Sequence, residues 1–254
     1  DLEKKIRFLQ AQGFKNFALV CVLGHTITGS VDPIWEINSA ANKLKKELGV
    51  NIFIHLDASF GGFIYPFLTK NKVGFDLENV MTITTDGHKT GLIPYSCGIF
   101  LCRKNLQRFI ELIQDIVQSH HDDTLLGSRS GAVAASLWAG LMSQGKQGYK
   151  KIYIECLKNK LFLLEELDKA NLNFWHYTNE FMNVAAIEFS DFPDFRLPQE
   201  IEKKHELTLS KISQKEKTRQ VYKFIIMPHV KKSALSQFVA QVKKSNSIFR
   251  KPII

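Results

Sequence analysis

The chain is 254 residues long, carries 34 Lys and Arg against 25 Asp and Glu for a formal net charge of +9, and is 44% apolar. This excludes a disordered chain and suits one large or two modest domains. Thirteen of the basic residues and only three acids fall between Ile201 and Ile254, so the first 200 residues are close to neutral and a chain built around a nucleic-acid-binding face is excluded as well.

In chain order, Lys4 to Gln12 reads as a helix stopped by Gly13, and Asn16 to Leu23 as a fully buried strand of the parallel-sheet type. The loop Gly24-His25-Thr26-Ile27-Thr28-Gly29 follows. Asp32-Pro33 reads as a helix cap ahead of the apolar stripe Ile34, Ile37, Ala41, Leu44 and Leu48, closed by Gly49. Strands are predicted over Asn51 to Leu56, Val80 to Thr84 and Cys97 to Arg103. Beyond Gly131 come a small-residue helix to Leu141, an amphipathic helix from Tyr149 to about Ala170 and a strand at Val184 to Phe189. A polar helix near Leu197 to Glu206, a strand at Tyr222 to Met227 and a helix from Ser233 to Lys244 complete the chain. Short strand–helix–strand connections imply an α/β protein with a mostly parallel sheet and helices on both faces, followed by a smaller α/β domain. The division is expected as 1–145 and 146–254.

Cys21, Cys97, Cys102 and Cys156 form no CxxC pair and sit in apolar neighbourhoods, so neither a disulfide framework nor a metal site is expected. The apolar run Phe17 to Leu23 is far short of a membrane span, and no signal-peptide pattern precedes it. A cytoplasmic chain with no membrane or nucleic-acid partner is expected.

In parallel sheets ligands bind at the carboxyl ends of strands, which brings Gly24 to Gly29, Asp57 and Lys89 to one rim. A carboxylate and a lysine at neighbouring strand ends suit pyridoxal phosphate. Its aldehyde is held as a Schiff base by a lysine, and its pyridine nitrogen is kept protonated by a carboxylate. Asp57 and Lys89 fit those roles. Ala58 would lie against the flat ring, Gly61-Gly62 would permit close backbone approach, and His88 would bind the phosphate or pack near the ring. His55 is expected in the core or behind the site.

The motifs His55-Leu56-Asp57-Ala58-Ser59-Phe60-Gly61-Gly62-Phe63-Ile64-Tyr65-Pro66-Phe67-Leu68, Asp86-Gly87-His88-Lys89 and Gly127-Ser128-Arg129-Ser130-Gly131 resemble the fold-type-I, group II pyridoxal-phosphate-dependent decarboxylases. Gly145-Lys146-Gln147-Gly148-Tyr149-Lys150-Lys151-Ile152 and Ile226-Met227-Pro228-His229-Val230-Lys231-Lys232 are most similar to the archaeal tyrosine/aspartate decarboxylase branch. Bacterial histidine decarboxylases and sphingosine-phosphate lyase share several of the same blocks. The resemblance implies decarboxylation of a tyrosine- or aspartate-like L-amino acid through an external aldimine and a quinonoid, in a homodimer. It places Asp57 on the pyridine nitrogen, Ala58 on the ring, Lys89 on the aldehyde and Arg129 at the substrate carboxylate.

Departures from the family pattern are specific. Gly24-His25-Thr26 stands where relatives have Gly-Thr-Thr, keeping only Thr26 as a cofactor contact. No tyrosine occurs in the stretch where relatives carry the proton donor to Cα, and His120 or His121 is expected to substitute. The segment that precedes this region in relatives, with its phosphate-cradling loop and ring cover, has no counterpart, so the chain is expected to be a fragment of the enzyme. The rival readings are a carbon–carbon lyase of the sphingosine-phosphate lyase type and an inactive remnant.

Overall fold

A computed structural model describes residues 1–106, 129–214 and 217–249, together with the backbone of two short strands at 112–113 and 121–122. The chain separates into two units: residues 1–23 with 32–145, and residues 24–31 with 146–254.

The first unit begins with α1 (Leu2–Ala11) and is organised on a four-stranded sheet, β1 (Asn16–Val22), β2 (Asn51–Asp57), β3 (Val80–Asp86) and β4 (Gly98–Cys102), in that spatial order. β1, β2 and β3 run parallel, and β4 returns antiparallel from β3. The helix α2 (Ile34–Leu48) makes the β1–β2 crossover and closes on Gly49 in the left-handed conformation at φ 64°, which only glycine adopts without strain. Ile6 of α1 and Ala41 and Leu44 of α2 bury one sheet face together with Val50 and Ile52. The other face is open among the described residues: Val20 is 66% exposed, and Phe53 and Phe100 are also exposed. β1 therefore alternates between exposed and covered positions where the apolar run predicted a strand buried on both sides. Among the described residues, α1 and α2 cover one face of this sheet.

Asp32 does not cap α2. Its carboxylate accepts the backbone N–H of Val22 at 2.7 Å, and its own N–H donates to the Val22 carbonyl, so it staples the return of the loop to the end of β1. The Val22 N–H lies at the strand terminus, and the Asp32 carboxylate is the acceptor that reaches it. The short helix α3 (Tyr65–Leu68) follows β2, and the two-residue strands β5 (Leu112–Ile113) and β6 (His121–Asp122) pair antiparallel. Next comes α4 (Gly131–Lys169), which is interrupted only at Gly145, with φ 55° and ψ −175°. The backbone at Gly145 is non-helical, so two helical stretches meet there, as the sequence predicts.

The second unit is an antiparallel sheet in the order β7 (Phe174–Thr178), β8 (Val184–Phe189), β10 (Lys217–Ile225), β9 (Leu209–Gln214). The chain also forms α5 (Gln199–Lys204) and α6 (Lys232–Phe249) here. Its core is aromatic: Phe189 meets the rings of Phe192, Tyr222, Phe224 and Phe238. The side chain of Lys160 is buried in α4 and donates to the carbonyls of Asn179 and Met182 at 2.6 and 2.7 Å, tying the turn before β8 to the helix. Burial pushes its ammonium down to about 8.

Gly61 sits where a Cβ would lie 2.2 Å from the carbonyl oxygen of Leu23, whereas a Cβ on Gly131 would meet nothing within 4 Å. Gly61→Ala is expected to cost at least about 1–3 kcal/mol in urea unfolding, with Gly131→Ala within about 1 kcal/mol of wild type. Equal stability of the two variants would show that the Leu23–Gly61 contact is not tight.

Candidate active site

The site is assembled where β2 and β3 end side by side. The register pairs His55 with Thr82 and Asp57 with Thr84, so these four side chains share one sheet face. His55 is half-buried and hydrogen-bonded on both ring nitrogens: Nδ1 with Thr82 Oγ1 at 2.8 Å and Nε2 with Thr84 Oγ1 at 3.3 Å. It is thereby fixed two residues before Asp57 on the same face.

Asp57 begins a turn. Its Oδ1 accepts the Ser59 hydroxyl at 2.6 Å and the Ser59 N–H at 3.0 Å. Burial pushes the carboxyl up, but the two Ser59 hydrogen bonds, helped by the nearby positive ends of His55 and Lys89, outweigh it and hold the group below its ordinary 3.8. Asp57 is therefore an anion at neutral pH, and no hydrogen bond engages its Oδ2 among the described residues.

Lys89 lies in the turn that leaves β3. Its Nζ pairs with Asp86 Oδ2 at 2.6 Å, and the lysine side chain is 38% exposed. His88 Nδ1 lies 3.1 Å from the Cys97 N and 3.0 Å from the Cys97 carbonyl oxygen, and its Nε2 faces Asp86 at 3.9 Å. Its ring also meets Tyr95 edge-on at 4.9 Å. His88 thus flanks the Lys89–Asp86 pair. The Lys89 turn is tied to the Asp57 turn by Thr90, which is fully buried and donates its hydroxyl to the Phe60 carbonyl at 2.7 Å.

Asp57, His88 and Lys89 come together in this way, and Ser59, Asp86 and Thr90 join them as residues the sequence did not single out. The signals were present: a serine two positions after an aspartate marks an Asx-type turn, and Asp86 and Thr90 lie in or beside the lysine motif. Ala58 stands apart. It is 2% exposed and lines a small apolar cavity with Leu56, Ile83 and Leu101, so strand alternation turns its methyl away from the Asp57 face and into packing. Gly61 and Gly62 are likewise needed for packing: their close approaches are to Leu23 and Thr85 of the chain itself. Thr26 is exposed and belongs to the loop counted with the second unit. Arg129 is exposed just ahead of α4. His120 lies outside the described residues, and of His121 only the backbone pairing with Ile113 is described.

A carboxylate with one oxygen available and a partly exposed lysine, linked through one buried hydrogen bond at the ends of adjacent parallel strands, make a site that can hold a cationic heteroaromatic ring and a carbonyl carbon. That donor set fits pyridoxal phosphate, with Asp57 for the ring nitrogen and Lys89 for the aldehyde.

Known proteins similar to this chain point to the same cofactor. The fold is that of the fold-type-I pyridoxal-phosphate enzymes. The structure is similar to glutamate decarboxylase of Lactobacillus brevis (TM-score 0.78, 19% identity, 93% of this chain and 56% of that one). It is also similar to a sphingosine-1-phosphate lyase of Burkholderia pseudomallei (TM-score 0.73, 18% identity, 92% and 52%). At those identities the likeness concerns the fold alone. The chain belongs to the pyridoxal-dependent decarboxylase family, whose conserved domain matches residues 1–189. Among its relatives, the probable L-tyrosine/L-aspartate decarboxylase of Methanococcus aeolicus is 31% identical over 264 residues, which takes in 96% of this chain and 63% of that protein. The tryptophan decarboxylase of Clostridium sporogenes is 33% identical over 247 residues, 96% of this chain and 56% of that protein. The chain therefore spans between 56% and 63% of the length of these two relatives.

Ser59→Ala removes one of the two hydrogen bonds to Asp57, so the carboxyl should titrate higher than in wild type, as read by carbon-detected NMR. A carboxyl held low in the folded state contributes stability above its unfolded pKa and loses it as pH falls through the folded value. The stability gap between wild type and Ser59→Ala should therefore be present at neutral pH and close on acidification. An unmoved Asp57 titration would refute the Ser59 assignment. Thr90→Val, which leaves the Phe60 carbonyl without its donor, should cost about 1–3 kcal/mol in thermal or urea unfolding; no loss would show that the bond is dispensable.

Proposed function

We propose that the chain carries the cofactor-holding part of a pyridoxal-phosphate-dependent decarboxylase acting on a tyrosine- or aspartate-like L-amino acid. This reading is carried by the placement of Asp57 and Lys89 at the ends of the adjacent parallel strands β2 and β3, in turns joined by the Thr90–Phe60 hydrogen bond. The names of the relatives support the substrate class, and two of them name aromatic amino acids.

When bound, pyridoxal phosphate supplies an electron sink that accepts the pair released as the Cα–carboxylate bond breaks. The residues of this chain do the rest. Asp57, kept ionised by Ser59, holds a proton on the ring nitrogen with its free oxygen. His55, locked between two threonines, keeps the sheet face beside Asp57 polar and rigid. With pyridoxal phosphate bound, Lys89 would hold its carbonyl carbon, and Asp86, which pairs with the Lys89 ammonium at 2.6 Å, is the carboxylate placed to take the proton that the ammonium would give up. His88 Nε2 lies 3.9 Å from the same Asp86 oxygen. Arg129 is assigned to the substrate carboxylate, Thr26 to the cofactor, and a histidine at 120 or 121 to returning the proton to Cα. A homodimer is the assembly we assign; the exposed Trp138, Leu141 and Met142 on the first part of α4 support an apolar interface. No helix among the described residues is long and apolar enough to cross a membrane.

The test is release of labelled carbon dioxide from carboxyl-labelled tyrosine, aspartate and tryptophan by the full-length protein, set beside aldehyde release from a phosphorylated amino alcohol. Carbon dioxide from one of the amino acids is expected, and Asp57→Ala and Lys89→Ala should each lower it by at least about a thousandfold, the scale of losing a group that acts only in the transition state. Aldehyde without carbon dioxide would establish the lyase chemistry instead, and undiminished turnover in Asp57→Ala would refute the role of that carboxylate.

A further inference from the structure

We propose that the second unit carries a binding site of its own for a small aromatic carboxylate, between the loop 24–31 and the strands β7 and β9. The cavity there has a volume of about 480 Å3, within the range of small-molecule sites. Its aromatic wall is Trp175 and Tyr177, alternate residues of β7 that project from one side of the strand.

The indole is held in place from within the unit. The Arg219 guanidinium lies 4.1 Å from the Trp175 ring centre and is paired with Glu188 at 2.7 Å, both side chains being largely buried. This arrangement keeps Trp175 rigid and neutralises Arg219, leaving Lys211 as the cation on the cavity wall. Lys211 makes no ion pair among the described residues. Thr28, Ser30 and Ser213 add hydroxyls around it.

The loop also indicates which anion fits. Four of its backbone donors are engaged internally: His25 N–H with the Ser30 carbonyl, Gly29 N–H with the His25 carbonyl, Ile27 N–H with His25 Nδ1 and Ser30 N–H with Thr28 Oγ1. A phosphate site draws on several cations or a converging set of backbone N–H groups, and the wall of this cavity carries a single lysine beside His25. One lysine, three hydroxyls and two aromatic rings match a monoanionic carboxylate attached to a ring. Gly29 seats the loop: its φ is +69°, and a Cβ there would lie 3.0 Å from the Val184 side chain. The loop therefore packs closely on the sheet that carries Trp175 and Tyr177.

Isothermal titration calorimetry of the full chain with 4-hydroxyphenylacetate tests the site, with 4-ethylphenol as the uncharged counterpart and inorganic phosphate as the competing anion. Saturable binding of 4-hydroxyphenylacetate is expected, weakened about tenfold by Lys211→Met and to a similar extent when the carboxylate is absent from the ligand, the scale of one charge-assisted contact. Phosphate should not displace it, and Lys89→Ala should bind it as wild type does, which separates this site from the pyridoxal reading. Absence of binding, equal binding by Lys211→Met or by 4-ethylphenol, displacement by phosphate, or loss of binding in Lys89→Ala would each overturn the proposal.

Discussion

The hydrogen bond from the Thr90 hydroxyl to the Phe60 carbonyl ties together two turns that are thirty residues apart in sequence, one holding Asp57 and the other Lys89. Thr90 is fully buried and Phe60 is buried as well, which strengthens the bond. Around this bond the strand ends are clasped in the same manner. The Leu23 N–H donates to the Asp57 carbonyl at 2.8 Å, and the Leu23 carbonyl accepts the Gly61 N–H at 2.9 Å, so the turn after β2 is pinned to the end of β1. Parallel pairing then does the positioning: the register that sets Asp57 beside Val22 and Thr84 also sets it on the face that Lys89 approaches. The electrostatics follow from this geometry, because Asp57 is held ionised chiefly by Ser59 of its own turn, helped by His55 and Lys89 at the strand ends.

The parallel core was legible from the sequence because its strands are apolar runs that stop at polar, glycine-rich turns. What each face meets was not legible. The run Phe17 to Leu23 is apolar throughout, yet Val20 is exposed while Cys21 is buried, since the covering of a sheet face depends on which elements pack there and not on the strand's own composition. The same alternation separates Asp57 from Ala58: adjacent in sequence, they point to opposite sides. Gly61 and Gly62 could be read as room for a ligand, and they are room for Leu23 and Thr85 instead. Asp32 looked like a helix cap from its neighbour Pro33, but a long-range acceptor was needed at the end of β1 and Asp32 supplies it.

The carboxyl-terminal part hid more. β9 and the start of β10 pass through the most lysine-rich stretch of the chain and read as a solvated face. Arg219, within that stretch, is packed against Trp175 and paired with Glu188, and the strands so joined form the wall of a cavity. Charge there serves packing and a localised site, consistent with a basic tail attached to a neutral chain. Thr26 belongs to the loop that closes this cavity, so substitutions in the loop bear on both the family role assigned to Thr26 and the binding site formed by its neighbours.

The central claim is that Lys89 is the residue that holds the carbonyl of pyridoxal phosphate, with Asp57 beside it. Borohydride reduction of the full-length protein in the presence of pyridoxal phosphate, followed by peptide mass analysis, addresses this most directly. A pyridoxyl group on the peptide containing Lys89, lost in Lys89→Ala, is the expected result. An unmodified Lys89, or a modification confined to other lysines, would contradict it.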